Sequence, residues 1–172
     1  MNAIELMRNQ INASHEIVEG TVADLTQEMC DHGVEGKAHP IGATYSHILT
    51  SEDFIVNMMI RGQQPLMMGD WAGKTGASEP PPGPTGDVYG WATRVSVDLP
   101  QAREYAKAVY QNTDDYVASL TPEDLDREME IPGFGKNSLA YYIGIAALIH
   151  PANHVGEISA LKGIQGAKGY PF

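Results

Sequence analysis

A single cysteine, Cys30, occurs in the 172 residues, so an intramolecular disulfide is excluded and a reducing compartment fits. No apolar run reaches the ~18 residues that a membrane span needs. Met1 to Gln10 mixes polar and apolar residues and lacks the apolar stretch of a secretory leader. Both features predict a cytoplasmic protein. Positive charge is scarce too: 11 Lys and Arg stand against 22 Asp and Glu, a formal charge of −11. With no basic cluster to interrupt that acidity, the reading is no nucleic acid and no membrane among the partners. Several catalytic motifs are also missing. There is no HExxH, no G-x-S-x-G elbow and no phosphate-binding loop. No Glu has a His three residues later, which excludes a ferritin-like di-iron bundle.

What is present is a soluble-protein composition, 42 % hydrophobic and 19 % charged, in a length that suits one domain over residues 1–172. Four helical patterns run through it. Ile4, Met7, Ile11, Val18, Val22, Leu25 and Met29 mark the buried face of the first, with Asn2 and Glu5 as a capping pair. It should stop near Asp31-His32-Gly33, where a loop through Gly36 and His39-Pro40 begins. The second helix spans about Ala43 to Ile60, with Tyr45, Ile48, Phe54, Ile55, Met58 and Met59 as core candidates, and ends at Arg61-Gly62.

Residues 62–97 lose the periodicity. Glu79-Pro80-Pro81-Pro82-Gly83-Pro84 can be neither helix nor central strand, so a long Pro/Gly-rich loop is expected between helices two and three. Trp71 and Trp91 should anchor it, and a loop of this length can shape a binding site. The third helix starts with Asp98 as cap, Pro100 in the first turn and Gln101 completing a capping box. Residues 127–137 hold Pro132, Gly133 and Gly135 and read as an irregular, strand-like crossover. Asn137 or Ser138 then caps the last helix, which Gly163, Gly166 and Gly169 end. The expected fold class is all-α, a four-helix bundle.

Chemistry concentrates in the last helix, at His150-Pro151-Ala152-Asn153-His154. Its core stripe reads Ile143, Ala147, His150, His154, Ile158 and Leu161. Four residues on a helix bring two side chains within about 40° of each other, roughly 6 Å apart along the axis. Imidazoles buried side by side need partners, and a metal ion satisfies both at once. Of the four remaining histidines, His32 and His39 fall in a loop, and Glu16 and Glu19 suggest a solvated edge for His15. His47, between small Ser46 and apolar Ile48, is the best third ligand. Three histidines leave a coordination position for water or substrate, as catalytic zinc sites do. Glu157 shares the face of His150 and His154, and is read either as a catalytic base or as the group that orients a ligand. The bland reading leaves it solvated or pairs it with Lys162 or another charge.

The order of these features resembles the DinB-like (YfiT-like) family of four-helix bundles. It is carried by Tyr45-Ser46-His47-Ile48-Leu49-Thr50-Ser51-Glu52-Asp53-Phe54 and, far downstream, by His150-Pro151-Ala152-Asn153-His154-Val155-Gly156-Glu157-Ile158. The likeness spans about Ile4 to Gly166. It implies an up-down-down-up bundle and a divalent metal, nickel or zinc, on His47, His150 and His154. It further implies a small-molecule substrate, a homodimer, and a thiol-dependent S-transferase or hydrolase with a low-molecular-weight thiol such as bacillithiol, mycothiol or glutathione as cosubstrate. The alternative is a non-catalytic dimeric ligand-binding or stress-response bundle with a vestigial metal site. Three departures stand out: Glu157 in place of the usual glutamine, the long Pro-rich loop, and Pro151. Proline biases the residue before it away from helical angles, so either a kink at the site or a helix restart at Pro151 is expected.

Overall fold

Asn2 and Glu5 form the reciprocal cap that their spacing predicts. Asn2 Oδ1 accepts from Glu5 N at 2.9 Å, and the Glu5 carboxylate accepts from Asn2 N at 3.0 Å. The helix they start, α1, spans Ala3–Val22 in this computed structural model, which describes residues 1–33, 38–83 and 86–172. The loop through Gly36 and the Pro84 end of the proline run lie outside the described residues.

The first helix does not continue to Met29 as its apolar pattern suggests. Side chains from distant helices take the carbonyls that would propagate it: Arg103 donates to Val22 O and Ala23 O at 2.8 and 3.1 Å, and Lys162 to Thr21 O at 2.7 Å. Lys162 also pairs with the Asp24 carboxylate, so it is not the partner of Glu157. Thr26 then caps a separate short helix, α2, Gln27–Asp31. Leu25 and Cys30 still reach the core.

Helix α3 spans Ile41–Asp53 and runs on without a break into a wider π-helical segment, Phe54–Ile60, ended by Gly62 at φ 64°. The long interruption that follows carries a 3₁₀ turn at Leu66–Met68 and a short helix, α4, Val88–Arg94, which sequence periodicity did not indicate. Trp91 is buried against Ala43 and Ala92, and its indole N–H donates to Glu79 O. Trp71 packs on Tyr105. Both tryptophans anchor the segment.

Helix α5, Leu99–Ala118, begins at Asp98, whose side chain accepts from Gln101 N; of the expected capping box only this half forms. A four-residue helix, α6, Pro122–Leu125, leads to strands β1, Glu128–Ile131, and β2, Gly135–Ser138. They pair antiparallel from Glu128↔Ser138 to Ile131↔Gly135. Gly133 and Gly135, at φ 86° and 85°, allow the tight reversal. The crossover is therefore a hairpin.

Ser138 caps α7, Leu139–Gly144, which passes through a π-helical segment, Ile145–Ile149, into α8, His150–Ile164. The long helices pack in the cyclic order α1, α5, α3, α8, so α1 and α3 lie on the diagonal and each touches both of the others. Between them Val18, Tyr45, Ile48, Tyr105, Val109 and Ile158 form one apolar cluster. Truncating a buried side chain such as Ile48 to Ala costs about 2–5 kcal/mol at positions of this kind. The all-α fold is as expected. Four core candidates of this helix are not fully buried: Met58 is exposed, and Phe54, Ile55 and Met59 are half-buried and line a cavity. Among the described residues, no helix is long and apolar enough to cross a membrane.

Candidate metal centre

His47 lies in the second turn of α3, and His150 and His154 occupy the first turns of α8, which packs beside it. The structure brings all three together. His150 Nε2 sits 3.1 Å from His47 Nε2 and 3.1 Å from His154 Nε2. The potential ligand atoms of the trio all fall within 4.8 Å of one another.

Pro151 does not spoil this arrangement. His150 keeps helical angles, φ −61° and ψ −51°, against the bias of the residue before a proline. Ile149 before it is helical as well, at φ −73° and ψ −48°, so the backbone stays helical into α8. The wider turn of Ile145–Ile149 precedes the proline, and the His150 N–H reaches back to Ile145 O. That five-residue bond opens the turn where the pyrrolidine ring would otherwise crowd the Ala147 carbonyl.

A carboxylate outside the trio sets the tautomer of one ring. His154 Nδ1 donates to Glu157 Oε2 at 2.7 Å, which leaves a lone pair on its Nε2. His47 Nδ1 lies 3.3 Å from Ser51 Oγ, one helical turn on. His150 Nδ1 is buried without a hydrogen-bond partner among the described residues. Burial, and then the charge of His154, pushes the His47 pKa down from 6.5 to about 4 and that of His150 to about 3. Both rings are therefore neutral near pH 7, the form that ligates metals.

The donors fit an ion. Ligands at 2.0–2.1 Å around one centre stand about 2.8–3.0 Å apart in octahedral and about 3.3–3.4 Å apart in tetrahedral geometry, and the two nitrogen pairs at 3.1 Å fall between them. Three imidazole nitrogens within this span, directed at one another, could hold a metal ion.

His47 and His150 also form the polar end of a cavity of about 370 Å³. Met67, Met68, Pro81 and Pro82 from the long loop line it, together with Phe134 from the hairpin tip. The loop thus shapes the cavity through methionine and proline, not through its tryptophans. Glu157 lies off this cavity, its side chain 58 % exposed.

Sequence reasoning misplaced His15. It is buried, not solvated, with Nε2 3.0 Å from the buried Glu52 carboxylate and its ring stacked on Tyr110 at 3.8 Å. Thr113 donates to the same carboxylate at 2.7 Å. Asp53 was missed as well: it accepts from Leu66 N and Met67 N at 2.9 Å and from Tyr105 Oη at 2.6 Å, so it fixes the loop that walls the cavity. The acidic pair after His47 was visible in the sequence, but its partners lie too far along the chain to be read there. Ser51, four residues after His47, could have been read from helical spacing.

A sequence model of the DinB superfamily matches residues 10–158. No curated protein matches the chain. Among solved structures, a conserved protein from Enterococcus faecalis superposes with a TM-score of 0.74 at 18 % identity, covering 96 % of this chain and 99 % of that one. At that identity the likeness shows the fold.

Proposed function

The chain belongs to the DinB superfamily, and on that footing we propose that it is a metal-dependent enzyme acting on a small molecule held beside His47, His150 and His154. The observation that carries this reading is the opening of an apolar cavity onto two of three mutually facing imidazoles. Zinc or nickel suits three nitrogen donors. Such an ion, when bound, supplies Lewis acidity that lowers the pKa of a thiol or water. Transfer of a low-molecular-weight thiol, or hydrolysis, is the reaction class that follows.

The chain's own residues have distinct tasks. His47 and His150 present neutral Nε2 atoms at the cavity end. Ser51 and Glu157 hold the outer nitrogens of His47 and His154, which fixes where the inner lone pairs point. Glu157 acts here as a positioning residue, since it touches His154 and does not line the cavity. Asp53 holds the part of the cavity wall that carries Met67.

The non-catalytic alternative drew its support from Pro151 and from the lack of a sure general base; His150 keeps its place despite that proline, while Glu157 does not line the cavity. Thiol-transfer and hydrolysis assays across several thiols and electrophiles test the proposal. Turnover lost on chelation and restored by zinc or nickel supports it; no turnover from fully metal-loaded protein over the whole panel opposes it.

A further inference from the structure

The cavity wall restricts what can lie beside the histidines. Phe54, Ile55 and Met59 come from the π-helical end of α3, Ile145 from the segment before α8, and Phe134 from the hairpin tip. Apart from the histidines, the polar side chains that line it are Thr50 and Ser51. Both hydroxyls are occupied: Thr50 Oγ1 donates to Ser46 O at 2.7 Å, and Ser51 Oγ lies against His47 Nδ1. Among the described residues no Asp, Glu, Lys or Arg lines the cavity. Away from the histidine end, a carboxylate, phosphate or ammonium held against these walls would lose water and gain no counter-charge, which is strongly unfavourable. An uncharged chain or ring would instead gain by leaving water.

We propose that the cavity binds a neutral, largely apolar substrate, with its one polar, reacting group at the His47–His150 end. The volume of about 370 Å³ is near the lower end of the roughly 300–1,000 Å³ typical of small-ligand sites, so the occupant is small. The consequence for the proposed reaction is specific. The anionic parts of a thiol such as glutathione stay outside the cavity, and the apolar walls hold the other substrate. Only the position of the reacting end rests on the metal-site reading; the selectivity rests on the walls.

Binding of straight-chain 1-alkanols, from pentanol to octanol, to the full chain by calorimetry is the test. Alkylammonium ions of equal length serve as the charged comparison, and alkanoates are added after chelation so that no metal can capture them. Alkanols should bind with each added methylene tightening the complex about threefold to fourfold, and the charged series should bind at least tenfold more weakly. Ile55→Trp should abolish alkanol binding by filling the space. Met68→Glu, at a half-exposed position that tolerates change, should weaken alkanols and admit alkylammonium. Equal binding of charged and neutral chains, no binding of alkanols, or alkanol binding untouched by both variants would overturn the proposal. Metal content of the same samples separates the two readings, because alkanol selectivity in metal-poor protein upholds the cavity assignment and counts against the metal site alone.

Discussion

His47 and His150, 103 positions apart in the chain, face each other Nε2 to Nε2 across 3.1 Å. Neither ring has a charged partner, and each sits in a helix that apolar packing holds in place. The pair is made by the docking of α3 on α8, so the site exists only in the folded bundle.

Glu157→Gln should weaken metal binding about 10–100-fold, the usual effect of losing a carboxylate behind a histidine ligand. The Nδ1–H of His154 would then meet a neutral acceptor rather than an anion. Competition titration against a chelating dye measures this. An unchanged affinity would mean that Glu157 is merely a surface carboxylate.

Acid should destabilise the metal-free protein through the same rings. The His47 and His150 pKa values fall from 6.5 in the unfolded chain to about 4 and about 3 in the fold. Between those limits the unfolded state binds more protons, so stability rises with pH. The contribution is therefore complete above about 6.5, and is lost as pH falls through the folded values. Urea midpoints measured from pH 7 to pH 4.5 should drop, with a share on the order of 5 kcal/mol from the two rings together. That share should vanish in the His47→Ala, His150→Ala double variant, and a slope identical to the parent would refute the linkage.

His15→Ala should cost about 3–5 kcal/mol, because it strands the Glu52 carboxylate in the core. Thr113 alone would then serve that charge. Chemical denaturation checks the magnitude; a loss below 1 kcal/mol would show that the pair is dispensable.

Asp53→Ala should release the loop wall. Two backbone N–H groups, the Asn57 amide and the Tyr105 hydroxyl lose their acceptor, at about 1.5–3 kcal/mol for each bond to a charged group. Hydrogen exchange at the Leu66 and Met67 amides should accelerate sharply, while that at Ile48 changes only with global stability. Unaltered protection at those two amides would contradict the assignment.

Local signals carried much of the way from sequence to structure. The Asn2–Glu5 cap, the Asp98 and Ser138 caps and the His150–His154 spacing all depend on residues within four positions, and each appears in the fold as read. What escaped was set by distant partners. Arg103 and Lys162 end α1 from other helices, a contact no periodicity in residues 1–29 reveals. His15 looked solvated beside Glu16 and Glu19, yet Glu52, 37 positions away, draws it into the core. Pro151 argued for a break because the preceding π turn cannot be anticipated from α-helical spacing.

Metal analysis of tag-free protein tests the central claim most directly, with parent and the His47→Ala, His150→Ala and His154→Ala variants measured side by side. The account predicts about one zinc or nickel per chain, held by three imidazole nitrogens in X-ray absorption spectra. Each variant should lose affinity by more than the ~10–100-fold that removing a supporting group causes. Substoichiometric metal that is the same in all four proteins would contradict it.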